Sequence, residues 1–236
     1  MDVASRFVVE MAIGKRTPEL LKQVIHSFAQ RTGGRAPALI TTDAFQAYAP
    51  LLMAQYGVLV VPPPTGLPGR PRSPYLEWPQ GSVYGTVCKT FKQGEVHQIR
   101  RELVYGSKQD LAAALAASSV SKQINTAIVE RQNGTERTHN PRKARKTYHF
   151  SKSLLLHCAV SWWVLLCYNF HDLHRGLRIR LPDGHFLHRT PAMAIGLQPR
   201  PLSTIDLMRT QVLGPVTRGR PALAEFQRSS PTRDAP

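Results

Sequence analysis

Two acidic residues, Asp43 and Glu130, occupy sequence positions at which a carboxylate could take part in catalysis or bind a metal ion. Asp43 follows a short apolar segment, residues 38–42, and ligands of α/β sheets bind beyond the carboxyl ends of the strands. Glu130 shares one face of a predicted helix with Asn133 and Arg137. A carboxylate on that helix could reach a metal ion held by Asp43. The alternatives are structural: Asp43 could cap the next helix, and Glu130 could belong to a solvated, ion-paired helix face.

A basic run surrounds Glu130 and indicates a polyanionic partner. Residues 122–152 carry a local net charge of +6. Such a run gives salt-sensitive affinity for phosphates, and Arg131 and Arg137 could each hold a phosphate bidentately. The other interpretation is a solubilising face or a localisation-like basic cluster. The predicted DNA-binding residues are Lys122, Arg131, Asn133, Arg137, Arg142, Lys143, Arg145, Lys146 and Lys152.

The whole chain shares this basic character. It has 236 residues, with 31 Lys and Arg against 15 Asp and Glu, and a formal net charge of +16. That excess favours nucleic acid or an anionic membrane surface as partner. A hydrophobic content of 42% excludes wholesale disorder, and three cysteines without a CxxC pair exclude a disulfide scaffold and a Cys-rich zinc module. The longest apolar run, residues 154–168, is shorter than the roughly 20 residues of a membrane span, so we expect a core helix, a cytoplasmic protein and no membrane partner.

An α/β layer must position these residues. The pattern predicts strands over residues 6–13, 38–42 and 58–61, with a helix in each interval. This alternation indicates at least two parallel neighbours in one sheet. A Pro/Gly-rich loop follows over residues 62–81, and a β-hairpin over residues 83–105.

The second half of the chain is predicted to be mainly helical. Helices are expected over residues 108–119, 125–139 and 150–170. We expect residues 1–197 to form one domain, and the basic, Pro- and Arg-rich residues 198–236 to form a disordered tail.

Several segments, in this order, are similar to a known family. They are 13–17 (IGKRT), 40–48 (ITTDAFQAY), 83–90 (VYGTVCKT), 124–133 (INTAIVERQN), 145–152 (RKTYHFSK), 168–170 (YNF), His174 and 190–196 (TPAMAIG). Across roughly residues 1–210 the chain resembles bacterial and archaeal insertion-sequence transposases of the DDE type, in the branch allied to insertion sequence one. The block around Glu130 is the most specific part of this resemblance.

The resemblance implies a ribonuclease-H-like catalytic core, with the β-hairpin inserted and a helical segment at its C-terminal end. Such cores cleave and join DNA at transposon ends with three carboxylates and two Mg²⁺ (or Mn²⁺) ions, which act on both oxygens of an in-line phosphoryl transfer. Asp43 would be the second Asp and Glu130 the Glu of that triad. The implied partners are transposon-end and target DNA, with a possible homo-oligomer, in the cytoplasm and associated with the nucleoid.

The chain departs from the family pattern before Asp43. Only one strand, residues 6–13, is predicted there, so it corresponds to the third strand of the fold and the first two are missing. Asp2 is too close to Asp43 to be the first catalytic Asp, and Ala44 replaces the usual Gly. We therefore expect a core that is incomplete at its N-terminus, derived from a truncated transposase, with an exposed sheet edge and marginal stability.

These departures leave three functions open. The first is a transposase core that cleaves and joins DNA. The second is a catalytically inactive DNA-binding remnant or competitor, and the third is an RNA-associated basic protein.

Overall fold

A computed structural model of the chain describes residues 1–63, 72–144 and 148–209. In this part the protein is a mixed α/β structure with seven α-helices and three small sheets. The helices are α1 (Pro18–Arg31), α2 (Tyr48–Tyr56), α3 (Lys108–Ala117), α4 (Ala127–His139), α5 (Leu154–Leu166), α6 (Pro191–Ala194) and α7 (Thr204–Arg209). The strands are β1 (Leu39–Asp43), β2 (Val58–Val60), β3 (Tyr75–Glu77), β4 (Val83–Lys92), β5 (Glu95–Tyr105), β6 (His174–Arg180) and β7 (Phe186–Arg189).

The chain divides into two compact units, the first of which is Met1–Pro201. The second begins at Leu202, and the structure describes it as far as Arg209, including helix α7. The segment predicted to be a disordered tail, residues 198–236, therefore contains a helix where it is described. Residues 210–236 lie outside the described part.

The largest sheet has the strand order β1-β4-β5 and lies within the first unit. Strands β1 and β4 are parallel, and Asp43 lies opposite Val87. Strands β4 and β5 are antiparallel and form the predicted hairpin, whose turn at Gln93 and Gly94 has positive φ at both residues. The two other sheets are the antiparallel pairs β2-β3 and β6-β7.

Residues 6–13 do not form the predicted strand. A strand needs a neighbour for its backbone groups, and here the side-chain amide of Asn169 takes that role at one residue. Its Nδ2 donates to the Val8 carbonyl and its Oδ1 accepts from the Val8 N–H, both at 3.0 Å. The segment is thus held in place by the residues that follow α5.

The prediction for residues 58–61 was right in type and wrong in partner. Val58–Val60 is strand β2, but it pairs antiparallel with β3 instead of lying beside β1. The parallel neighbour of β1 is β4, which follows the Pro/Gly-rich loop. A short apolar run predicts a strand from the pattern of its own side chains. That pattern does not specify which other strand it pairs with.

An aromatic cluster holds the helices α1 and α2 against the main sheet. Trp78 stacks on Tyr105 of β5 at 5.0 Å between ring centroids, and contacts Tyr56 and Tyr84 at 6.4 Å each. Its indole N–H donates to the Ser82 carbonyl at 3.0 Å, so the ring is buried with its polar atom satisfied. The other buried members of this core are Ile25, Ala29 and Leu52.

The predicted core helix is only partly buried. Its first residues, Leu154, Leu155 and Leu156, are 41%, 57% and 52% exposed, whereas Leu165 near its end is buried. The helix continues into a π-helical turn, Cys167–His171, that buries Tyr168 and Asn169. The combined stretch Leu154–His171 is the one helix in the described residues long and apolar enough to cross a membrane, a property that is also compatible with a core helix of a water-soluble protein.

Candidate functional site

Asp43 is the last residue of β1, and its side chain is 54% exposed. Its Oδ2 accepts a hydrogen bond from Nη2 of Arg16 at 2.7 Å, and its Oδ1 accepts from the Phe45 N–H at 3.3 Å. The Arg16 guanidinium also lies 4.3 Å from the centre of the Phe45 ring, which orients it toward the carboxylate. Helix α2 begins only at Tyr48, with Ala47 as its N-cap, so the alternative role of Asp43 as that cap is wrong.

Glu130 lies in the first turn of α4 and points toward the main sheet. Lys89 of β4 donates to both carboxylate oxygens, at 2.6 and 2.5 Å, and the Thr126 hydroxyl donates to Oε1 at 2.6 Å. The hydrogen bonds from Lys89 and Thr126 lower the pKa of Glu130, so it is a carboxylate at neutral pH. The alternative interpretation, that Glu130 belongs to an ion-paired helix face, agrees with the observed ion pair. Its partner, Lys89, lies on β4 and not on the same helix.

The parallel pairing of β1 and β4 brings these two groups to the same end of the sheet. Asp43 lies opposite Val87, and Lys89 is two residues further along β4, on the same face as Val87. Neighbouring strands are about 4.8 Å apart and two residues along a strand span about 6.7 Å. Asp43 thus ends the strand beside the one that carries Lys89, and Lys89 in turn binds Glu130 of α4. We call Asp43, Glu130 and their cations Arg16 and Lys89 the carboxylate site.

Arg16 and Lys89 were not among the predicted site residues. Both lie in segments that carry the transposase resemblance, residues 13–17 and 83–90, so the sequence marked their segments without their roles. Each role depends on a partner from a distant element, which no local pattern specifies.

The carboxylate oxygens at this site are the kind of metal ligand that Mg²⁺ prefers. However, each carboxylate is paired with a cation, and the described residues contain no group of three or more His, Cys, Asp or Glu side chains that could hold a metal ion. Asp2 lies in an N-terminal turn, where its carboxylate accepts from the Ser5 N–H at 2.8 Å. Residues 1–63, 72–144 and 148–209 therefore do not fit the three-carboxylate centre on their own, and the implied Mg²⁺ or Mn²⁺ ions stay a prediction.

The predicted DNA-binding residues on α4 divide between two faces. Asn133 and Arg137 follow Glu130 at intervals of three and four residues, so they extend the face of the carboxylate site. Arg131 is turned about 100° away around the helix and lines a separate cavity. Glu130, Asn133 and Arg137 therefore lie on one surface of α4, and Arg131 lies on another.

Two other members of the predicted set have intramolecular partners. The Lys122 ammonium donates to the carbonyls of Ala116 and Ser118 at 2.9 and 2.8 Å, where it stabilises the C-terminal end of α3. Lys143 forms a largely buried ion pair with Glu136. Arg142 and Lys152 are in no ion pair within the described residues, and Arg145 and Lys146 lie outside them.

Comparison of the chain with protein-family models, with curated proteins and with solved structures found no match.

Proposed function

We propose that this chain is a DNA-binding protein of a transposition system, built on the ribonuclease-H-like core of insertion-sequence transposases. DNA at transposon ends or target sites is its partner, in the cytoplasm and associated with the nucleoid. Homo-oligomerisation is an accompanying prediction. The formal net charge of +16 supplies the non-specific part of the affinity through counterion release.

The observation that carries the proposal is that Asp43 ends β1 and that Glu130 is bound by Lys89 of β4, the parallel neighbour of β1. The resemblance names these two carboxylates as members of a single triad. They are distant in sequence, and the parallel β1-β4 pairing and the Lys89–Glu130 ion pair relate them to the same two neighbouring strands. Basic residues without an ion pair in the described part, such as Arg137 and Arg142, lie on the same helix or directly after it.

Two functions follow from this site. The first is metal-dependent cleavage and joining of DNA, for which the carboxylate site supplies two carboxylates. The second is DNA binding without strand chemistry, as expected of an inactive remnant or competitor. The ion pairs Arg16–Asp43 and Lys89–Glu130 favour the second, because each carboxylate already holds a cation.

A strand-cleavage assay separates the two functions. The purified chain is incubated with labelled linear DNA and Mg²⁺ or Mn²⁺, and DNA retention is measured in parallel. If the chain cleaves DNA, we expect Asp43→Asn and Glu130→Gln to reduce cleavage to background while retention persists. Glu95→Gln, at the exposed hairpin turn, is the matched control and keeps full cleavage.

Each result has a defined meaning. Retention without cleavage by the unaltered chain supports the binding-only function. Cleavage that survives both substitutions contradicts a catalytic role of the carboxylate site. Absence of DNA retention at low salt contradicts the proposal as a whole.

A further inference from the structure

A cavity of about 710 Å³ lies on the side of α4 that faces away from Glu130. Its walls come from the N-terminal segment, from α4, from the π-helical turn and from β6. A volume of this size is typical of sites for small molecules or for one group of a larger ligand. We call it the arginine cavity, because Arg6, Arg131, Arg175 and Arg178 line it.

The charges in the arginine cavity are unbalanced. Among the residues that the structure describes, its lining contains four guanidinium groups and no Asp or Glu. Within the described residues none of the four is in an ion pair, and Asp172, outside the lining, faces His139 with 3.8 Å between Oδ2 and Nδ1. Like charges gathered in this way repel each other, and an anion that enters the cavity relieves the repulsion. Guanidinium groups match the geometry of phosphate oxygens in particular, since each can donate two parallel hydrogen bonds.

The backbone around Arg6 is built to hold this side chain in place. Arg6 has φ of 62°, in the left-handed region that non-glycine residues rarely adopt. On one side, Asp2 donates its N–H to the Phe7 carbonyl at 2.8 Å and closes a turn. On the other side, Val8 is bound by Asn169, and the Phe7 ring meets the Phe170 ring at 5.8 Å. An unusual conformation held from both sides indicates a functional position for the side chain.

Gly176 of β6 provides the space that the Arg6 guanidinium occupies. A Cβ atom at this position would lie 2.6 Å from Cζ of Arg6, too close for any real contact. Only glycine lets the guanidinium lie against the strand at this point. The sequence of β6 thus accommodates Arg6 and supplies Arg175 and Arg178 on either side of it.

Polar and aromatic groups complete the wall. The Tyr168 and His174 rings meet edge to face at 4.5 Å, and the His174 Nε2 is 3.1 Å from the Tyr168 carbonyl oxygen. Burial lowers the pKa of His174, so its ring is neutral at neutral pH and adds hydrogen-bonding capacity instead of charge. Arg178 is fixed by its position 4.3 Å from the centre of the Phe186 ring.

We propose that the arginine cavity binds a phosphate group, and that in the working protein this is a phosphate of the DNA strand. The assignment to DNA rests on the proposed function, whereas the affinity for phosphate does not. The cavity lies on a different face of α4 from the carboxylate site, so it is a second anchoring point for the nucleic acid. A free phosphate compound has the same chemistry and is the other source that the experiment separates.

The test is a calorimetric titration of the full chain with inorganic phosphate at constant ionic strength. We expect saturable binding, weakened about tenfold or more by either Arg131→Gln or Arg175→Gln, since a hydrogen-bonded charged pair is lost in each. Arg180→Gln, on β6 but outside the lining, is the matched control and changes the affinity by no more than about twofold. Circular dichroism of each variant verifies that the fold is kept.

The same titration after saturation with duplex DNA identifies the source of the phosphate. Loss of inorganic phosphate binding supports a DNA phosphate in the cavity. Unchanged binding contradicts the DNA assignment and identifies a free phosphate compound as the ligand. Lack of saturation, or equal weakening in all three variants, overturns the cavity as a phosphate site. The binding of inorganic phosphate requires neither DNA nor a divalent ion. The outcome of the phosphate titration is therefore independent of the cleavage assay.

Discussion

At the scale of single residues, Lys89 is the group that ties Glu130 of α4 to the main sheet. It extends from β4 beside Asp43 and donates to both oxygens of Glu130 on α4. A charge in this position stabilises the carboxylate form of Glu130 and fixes the orientation of its side chain. The electrostatic state of Glu130 is therefore set by a residue 41 positions earlier in the chain.

Replacing Lys89 tests this assignment. In Lys89→Met we expect the pKa of Glu130 to rise toward its ordinary value, because the largest cause of its lowering is removed. The measurement is a carboxyl ¹³C NMR titration. Lys92→Met, further along the same strand and exposed, is the control and leaves the pKa of Glu130 unchanged. An unchanged pKa in Lys89→Met would contradict the account of the site.

The same pair gives the stability of the protein a defined pH dependence. The pKa of Glu130 is lower in the folded than in the unfolded chain, so its contribution to the free energy of unfolding is present above the ordinary Glu pKa. It is lost as the pH falls through the lowered folded value. The difference in stability between the unaltered chain and Lys89→Met therefore shrinks on acidification.

The sequence predicted Asp43 and Glu130 as site residues, but not the cations that pair with them. Asp43 stands out because it ends an apolar strand, and Glu130 because of its helical neighbours and the resemblance. Arg16 and Lys89 become site residues only through pairing between elements that are distant in sequence. Arg6 carries no local signal either, since its importance follows from its backbone conformation and from Gly176 on β6.

At the scale of elements, the contact between β4 and the start of α4 determines where Glu130 lies. Ile124 is buried just before α4, and Gly85 of β4 is the residue against which it packs. A Cβ at position 85 would lie 2.7 Å from Cδ1 of Ile124 and 3.2 Å from the Glu102 carbonyl oxygen. The absence of a side chain on β4 thus allows the close approach of the segment that leads into α4.

We expect Gly85→Ala to lower the free energy of unfolding by about 1–3 kcal/mol, because the added methyl group overpacks this contact. Urea denaturation measures the effect. The matched control is Gly134→Ala, within α4, where a Cβ meets nothing within 4 Å. It removes a flexible residue from a helix and is expected to raise the free energy of unfolding by about 0.5–1 kcal/mol. A neutral Gly85→Ala would contradict close packing at this contact.

Elements with local signals were predicted correctly, and those that depend on a partner were not. Thr17 caps α1 before a proline, as its sequence indicates, and the Lys92–Glu95 turn joins the two strands of the hairpin. Residues 6–13 have strand-like composition but no strand neighbour, and β2 pairs with β3 instead of β1. The β6-β7 hairpin was missed, although residues 177–181 (LRIRL) alternate apolar and basic side chains as an exposed strand does.

At the scale of the whole molecule, positive charge is distributed over two faces of α4. Arg137 extends the face of the carboxylate site, and Arg131 lines the arginine cavity with Arg6 and Arg175. Strand β1 is an edge strand of the main sheet in the described residues, because residues 6–13, which were expected to provide the exposed edge, form no strand. Basic side chains thus lie on two faces of α4, and one of these faces also carries Glu130.

Whether the protein binds DNA is measured by its affinity for labelled duplex DNA as a function of salt concentration, read by fluorescence anisotropy. We expect binding at low salt, with the logarithm of the association constant falling linearly with the logarithm of salt concentration. The slope should be about −3 or steeper, since each neutralised phosphate contributes about −0.9. Binding that does not change with salt, or no binding at low salt, would contradict the claim that this protein acts on DNA.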